Sequence, residues 1–410
     1  MNPILSHERV HLLDVLRGLA IFGMFTVNMT VDSFWADTYR TSELASLDFI
    51  ALVLVDLFAK GKFITIFSFL FGIGFFVQME RASARGVNAT AFYIRRSTGL
   101  LIIGVLGLAF TLNSWILVDY AIFGLGLLLF LNRSPRTILM AGIALILLAN
   151  IFGWIIPDYL EQLENPALVV EQTAPEAAQP TSPTEMSEDA VLREGDFLQI
   201  SSYGLLHLWE AFTDWRYYAS ELRLLGIMLL GLYVARLGAV WDSDVRRVLA
   251  RKALPWLIAI GFSGCLVWVV MADFGVGDKT SAVYLILPKI AAWPIGMPML
   301  GLGYAVAIAL LIEREKWRKW LMPMAAVGRM ALTNYLFTAL IAAFIGFSWG
   351  LGLYGKISVS QSLLLVLIIF PIQVLASRWW MARYVFGPAE WLWRSFTYGK
   401  LQPMYRTDVR

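Results

Sequence analysis

The sequence predicts an all-α, polytopic membrane protein with about ten transmembrane helices and both termini in the cytoplasm. Three observations carry this. Of the 410 residues, 59% are hydrophobic and only 15% are charged, where a soluble globular protein carries about a quarter charged residues. Ten apolar runs of near-membrane length recur along the chain, about 20 residues being what a helix needs to cross hydrocarbon. Basic residues gather in every second connection between those runs, which the positive-inside rule assigns to the cytoplasm.

The runs fall near 11–30, 60–79, 97–113, 115–132, 137–156, 222–236, 253–272, 289–312, 325–347 and 361–377. The sixth is short unless it begins before Glu221. Arg81, Arg85, Arg95 and Arg96 separate the second and third runs, and Arg133 and Arg136 follow the fourth. Arg246, Arg247, Arg251 and Lys252 follow the sixth; Arg314, Lys316, Arg318 and Lys319 follow the eighth; Arg378, Arg383, Arg394 and Lys400 follow the tenth. The alternate connections are acidic or sparsely charged, as with Asp32, Asp37 and Glu43. No small-residue cleavage site follows the first run, so it is expected to stay as a signal anchor.

The chain divides into an N-terminal membrane half at 1–156 and a C-terminal membrane half at 197–380, with a cytoplasmic interfacial tail at 381–410. Between the halves, 157–196 holds ten carboxylates against one arginine, Arg193, with several prolines. Such a composition buries too little apolar surface to order itself, so an extracytoplasmic disordered loop is expected there. Residues 197–218 are rich in aromatic residues and carry Glu210, Asp214 and Arg216, the pattern of an amphipathic helix at the outer interface. Leu47 to Ala59 reads as a second helix of this type, and Tyr384 to Tyr398 as an interfacial helix on the cytoplasmic side.

Several function classes drop out. Cys265 is the single cysteine, which excludes an intramolecular disulfide, a cysteine-based zinc site and an iron–sulfur cluster. There is no Walker A motif, nucleophile elbow or metal-ligand spacing, so neither a metal nor a bound cofactor is expected. The Gly-x-Gly pairs at Gly72, Gly124 and Gly301 and the Gly346-x-x-x-Gly350 motif read as close helix contacts. The basic clusters are the cytoplasmic connections, so no nucleic acid partner is expected; the bilayer is.

Polar residues at membrane depth remain. The first run, Leu13 to Met29, carries Asp14, Arg17 and Asn28. An arginine on a spanning helix costs about 3 kcal/mol or more unless it finds a partner, a cavity or the interface. Asp14 lies three residues from Arg17, on the same helix face. Asn28 lies eleven beyond Arg17, about three turns, so all three form one polar stripe. Lys62 begins the second run, Asp119 sits in the fourth, Lys289 begins the eighth, and Arg329 and Asn334 lie in the ninth. One reading makes these structural pairs, for instance Asp119 with Lys62 or Lys289. The other makes a polar cavity open outward, with Arg17 and Arg329 supplying positive charge toward the cytoplasm. Two arginines suit phosphate or carboxylate groups, which they hold bidentately. His207 is an interfacial histidine of the kind that more often packs than catalyses, yet Glu210 three residues on can orient it as an acid or base.

Leu13-Asp-Val-Leu-Arg-Gly-Leu-Ala-Ile21 with Asn28 resembles the opening of the YeiB family of bacterial inner-membrane proteins. So do Gly61-Lys-Phe63 with Phe67-Ser-Phe-Leu-Phe-Gly-Ile-Gly74, then Gly328-Arg-Met-Ala-Leu-Thr-Asn-Tyr-Leu336 and Gly387-Pro-Ala-Glu-Trp-Leu-Trp-Arg394. The motifs keep the family's order over nearly the whole chain. The resemblance implies a multi-pass protein of the bacterial inner membrane and, more distantly, similarity to transmembrane acyltransferases of the heparan glucosaminide acetyltransferase type. Those enzymes, by resemblance, pass an acyl group from cytosolic acyl-CoA to an acceptor on the far side. The chain departs from those enzymes in carrying Asn28 where a histidine is frequent and no histidine between Met29 and Ser46, and from the YeiB pattern itself in holding Gly107 and Trp115 where a histidine and a later aspartate are usual; Asp119 lies four residues beyond the second.

Three readings follow. In the first, Arg17 and Arg329 bind an anionic acyl donor, acyl-CoA as co-substrate, with Asn28, Lys62, Lys289 and Asn334 lining the site and His207 or Asp119 as base. In the second, the same groups serve a transporter or flippase of a small anionic solute or anionic lipid. In the third, the protein is structural or sensory and its polar pairs only hold helices together. A homo-oligomer stays open under all three.

Overall fold

A computed structural model of the chain describes residues 11–30, 46–112, 115–157, 159–160, 188–277 and 281–405. It is a helical bundle, and no strand occurs among the described residues. The helices are α1 (His11–Thr30), α2 (Leu47–Phe58), α3 (Lys62–Ala84), α4 (Ala89–Thr111), α5 (Trp115–Gly126), α6 (Pro135–Asn150), α7 (Glu188–Glu194), α8 (Phe197–Thr213), α9 (Trp215–Arg236), α10 (Ser243–Trp268), α11 (Ala282–Ile290), α12 (Met297–Leu311), α13 (Glu315–Arg329), α14 (Ala331–Gly346), α15 (Val359–Arg383) and α16 (Pro388–Tyr398).

The helix starts follow from capping chemistry. Ser46, Asn88 and Ser134 accept backbone N–H bonds at the starts of α2, α4 and α6. Asp196 and Ser358 form reciprocal capping boxes with Gln199 and Gln361 at α8 and α15. Each cap satisfies donors that the first helical turn leaves open.

α1 is apolar nearly all round and sits inside the bundle, packed on α13, α3, α14 and α15. Glycines let two of its neighbours reach its backbone. A Cβ on Gly18 would stand 2.1 Å from the Met324 carbonyl oxygen, and one on Gly328 would stand 1.8 Å from that of Asp14. α3 and α9 meet the same way at Gly72 and Gly231. Small residues at such crossings replace the hydrophobic drive that lipid cannot supply.

Among the described residues, seven helices are long and apolar enough to cross a membrane, and eight if a bent pair counts as one span. That pair is α13 and α14, which meet at 83°. Of the expected ten, the two further runs are α3 and the shorter apolar helix Trp115–Phe130. α4 ends before it at Leu112, which is held in a left-handed turn with φ of 53°. The sixth run begins well before Glu221, at Trp215.

Residues 161–187 of the acidic segment, and Asp32, Asp37 and Glu43, lie outside the described residues. At the end of the acidic segment the chain is ordered. α7 buries Leu192 and Val191 against Phe347 and Tyr354, an apolar pair that the charge-rich composition concealed. α8 is amphipathic: Leu198, Leu205, Leu206 and Trp209 are exposed, while Gly204 and Leu208 pack inward on α4 and α5 and Ile200 joins Leu192 and Phe347.

Candidate functional site

Two cavities approach one another from opposite ends of the bundle, and Tyr335 of α14 lines both. The expected single cavity open outward is therefore two, divided at this tyrosine. Beside it, Tyr120 of α5 lines the first cavity and its neighbour Asp119 the second. The Tyr120 hydroxyl is fixed at 2.8 Å from Ser68 Oγ and donates to the Ile64 carbonyl at 3.3 Å. Its ring lies 5.7 Å from Phe67 and 5.2 Å from Phe71. Such packing holds the partition in place.

The first cavity has a volume of about 330 Å³ and lies at the end that carries the basic connections. Arg17, Arg81, Arg85, Arg96, Arg329 and Arg394 line it, against the carboxylates Asp14 and Glu390. Arg17 Nη1 lies 3.3 Å from Asp14 Oδ1, as the three-residue spacing predicts. The Arg96 guanidinium stacks 3.6 Å above the Trp393 ring, and the Trp393 indole donates to the Arg96 carbonyl at 2.8 Å. Arg394 sits 4.5 Å over Phe386. Flat stacking of this kind holds a guanidinium in place with its edge N–H groups still able to donate.

Glu390 does not answer this positive charge. Its Oε1 accepts from the N–H groups of Leu332 at 2.6 Å and Thr333 at 3.2 Å, and its Oε2 from the Thr333 hydroxyl at 2.5 Å. It is thus the cap that α14 lacks locally, since Met330 supplies no side-chain bond there. Burial pushes the Glu390 carboxyl up, and the bonds from Thr333 and Leu332 pull against that shift.

The second cavity has a volume of about 730 Å³. Asn28, Lys60, Asp119, His207, Glu210, Asp214, Tyr217, Glu221 and Arg223 line it, so carboxylates outnumber cations. Asp119 Oδ1 accepts from the Tyr217 hydroxyl at 2.7 Å. Glu221 holds Arg223 Nη2 through bonds of 2.9 and 3.3 Å. His207 Nδ1 lies 3.1 Å from Glu210 Oε2, and the Tyr203 ring meets the imidazole edge-on at 4.2 Å.

The structure thus brings Arg17 and Arg329 together in one cavity and Asn28, Asp119 and His207 in the other. Lys62, Lys289 and Asn334 line neither. Lys62 is fully buried; its ammonium donates to the Asp56 carbonyl at 2.5 Å and bonds the Cys265 thiol. Lys60, two residues earlier, reaches the cavity and pairs with Asp56 at 3.7 Å. An Asp119–Lys62 pair is accordingly replaced by the Asp119–Tyr217 bond, because Asp56 and Cys265 claim the lysine. Asn334 braces the bend: its amide donates to the Val327 carbonyl and to Ser377 Oγ at 3.0 Å each, and its oxygen accepts from Gln373 at 3.0 Å.

Residues 234–400 match the model of a family described as "Protein of unknown function (DUF418)". Among curated proteins the chain is similar to "Uncharacterized protein YxaH" of Bacillus subtilis, 31% identical with 98% of each chain covered. It is also similar to "Uncharacterized 39.9 kDa protein in amylase 3'region" of Bacillus acidopullulyticus, 27% identical over 98% of each. "Uncharacterized protein YeiB" of Escherichia coli is 26% identical over 95% of this chain and 96% of its own. No solved structure matches the chain. With near end-to-end matches on all three and the motifs of the first, second and ninth runs built around one pair of cavities, the chain belongs to the YeiB-type DUF418 family of multi-pass membrane proteins.

Proposed function

We propose that this protein is an acyltransferase of the bacterial inner membrane, moving an acyl group from a cytosolic acyl-CoA to an acceptor in the outer cavity. The observation that carries the reading is the pair of cavities of opposite charge that meet at Tyr335. Six arginines on the side of the basic connections suit the phosphates of the donor, which Arg17 and Arg329 can grip bidentately. On the other side Asp119 lies next to the partition and His207 with Glu210 farther out on α8, either of them placed to take a proton. The acceptor hydroxyl or amine attacks the thioester carbonyl and loses its proton to that base. The C–S bond breaks, and the thiolate leaves into the inner cavity, where water protonates it.

Titration of the purified protein in lipid nanodiscs with an acyl-CoA tests this. Saturable binding, weakened at least tenfold by Arg17→Ala, is expected. No binding, or binding that Arg17→Ala leaves unchanged, overturns it. A transporter or flippase of an anionic or lipid-like solute is the second reading, favoured by the same feature, since one side chain between opposed cavities suits alternating access. Uptake of such a solute into proteoliposomes without acyl transfer would select it.

A further inference from the structure

The outer cavity holds a carboxyl that the protein leaves, among the described residues, with a single hydrogen-bond partner. Asp119 is only 6% exposed. Its Oδ1 is bonded to Tyr217, and among the described residues no donor reaches its Oδ2. The side chain lines a cavity of about 730 Å³, so a donor that enters the cavity can reach this carboxyl. The cations nearby are engaged elsewhere: Arg223 by Glu221, Lys60 by Asp56 and His207 by Glu210. Trp115, Tyr217 and Trp293 also line this cavity, and aromatic faces attract an ammonium group. An ammonium N–H group suits both a carboxyl acceptor and these aromatic faces.

The wall of the cavity gives the rest of the ligand. α8 presents Tyr203, His207 and Glu210 to the cavity and, on its opposite side, exposes Leu198, Leu206 and Trp209. A helix with one polar and one exposed apolar face lies in the plane of the interface, the apolar side in the acyl chains. The cavity is then at headgroup depth, and a single helix separates it from lipid.

We infer that the acceptor is an amphiphile of the outer leaflet with a primary amine in its headgroup, the ammonium bound at Asp119 and the acyl tail lying along the apolar face of α8. This deepens the acyltransferase reading and rests on it for the chemistry, though not for the binding. In the reaction the ammonium gives one proton to Asp119, which later passes it to water. The freed amine attacks the thioester carbonyl, the C–N bond forms and the C–S bond breaks. The second amine proton goes to the departing thiolate, leaving an amide and a free thiol.

The test is equilibrium binding of lysophosphatidylethanolamine, lysophosphatidylglycerol with the same tail, and tail-free glycerophosphoethanolamine, to the full chain in detergent. The amine lipid is expected to bind at least tenfold tighter than the glycerol lipid, and the tail-free headgroup at least tenfold more weakly than the amine lipid. Asp119→Asn, which keeps an acceptor for Tyr217, should remove the preference. Equal binding of the two lipids, or a preference that survives Asp119→Asn, overturns the inference; strong binding of the tail-free headgroup overturns the lipid source and leaves a soluble amine. Acyl-CoA titration of the same samples separates the two claims: amine-lipid binding without donor binding sinks the transferase and keeps the site, and the converse sinks the site alone.

Discussion

Glu390 and Thr333 stand 57 residues apart in sequence, and their side-chain oxygens meet at 2.5 Å. That bond ties α16 to the first turn of α14, at the bend where Arg329 ends α13. The carboxylate of the Gly387-Pro-Ala-Glu motif therefore completes a half-helix that begins inside the bundle. Gly387 is part of the same joint, since a Cβ there would press to 2.3 Å from Glu390 Oε2.

Replacing Glu390 should therefore show up as lost stability. Glu390→Ala leaves two backbone N–H groups without their acceptor, at a cost of about 1–3 kcal/mol. Thermal unfolding in detergent should report a lower midpoint for Glu390→Ala than for Glu390→Gln, which keeps one acceptor oxygen. Equal midpoints for the two variants and the parent would contradict the capping role.

The contact of α1 with α13 leaves no room for a side chain at Gly18 or Gly328. Gly328→Ala should abolish a monodisperse peak in size-exclusion chromatography, because its Cβ would overlap the Asp14 carbonyl. Gly74→Ala serves as the comparison: its nearest neighbour would be Gln78 at 3.7 Å, and its folded yield should match the parent.

Arg96 contributes by stacking as well as by charge. Arg96→Lys keeps the charge and loses the planar contact with Trp393, worth about 1 kcal/mol. Under the proposed acyltransferase reading, acyl-CoA affinity should fall about fivefold in Arg96→Lys and further in Arg96→Ala, read by calorimetric titration. A lysine variant that binds as the parent does would show that only charge matters.

Tyr335 is the wall between the cavities, so Tyr335→Ala should join them. Proteoliposomes containing that variant should leak a small solute such as glycerol at least tenfold faster than those with the parent protein. An unchanged leak rate would mean that other side chains close the path.

Glu313 gives a pH dependence outside the spans. It follows α12 and receives Arg246 Nη2 at 2.9 Å and Arg247 Nε at 2.6 Å from the start of α10. Partial burial raises its carboxyl, but the two arginines outweigh that and hold it below the ordinary glutamate value of 4.5. A carboxyl lowered in the folded state stabilises above its unfolded value and loses that contribution as pH falls through the folded one. The loss should appear below about pH 4.5 and amount to no more than about 1 kcal/mol for a near-surface pair. Glu313→Gln should remove this part of the acid limb in thermal unfolding followed against pH.

The helical bundle was legible because apolar length and charge placement are properties of the chain itself. Arg17 with Asp14, Asn28 and His207 with Glu210 were legible too, since helical spacing fixes which neighbours share a face. The cationic cavity was concealed by that same charge pattern: Arg81, Arg85, Arg96 and Arg394 read as ordinary loop positives until folding turned them inward on one volume. Tyr217 lay in a stretch read for its aromatic content and Glu221 and Arg223 at the edge of the sixth run, and only the packing of α9 against α5 brings Tyr217 to Asp119. Lys62 shows the opposite error. A lone lysine at a helix start gives no sign that Asp56, six residues before it, and Cys265, far along the chain, will enclose it.

The thinness of the partition at Tyr335 has an electrical consequence. Where two cavities share a lining residue, the transmembrane voltage falls over a shorter path than the full hydrocarbon thickness. A charge that passes Tyr335 then crosses nearly the whole field, worth about 2.3 kcal/mol per elementary charge at 100 mV. With the cell interior negative, that field would push an anion outward and hold a cation in the cytoplasm, so the membrane potential itself would set the direction of any charged transfer through this protein.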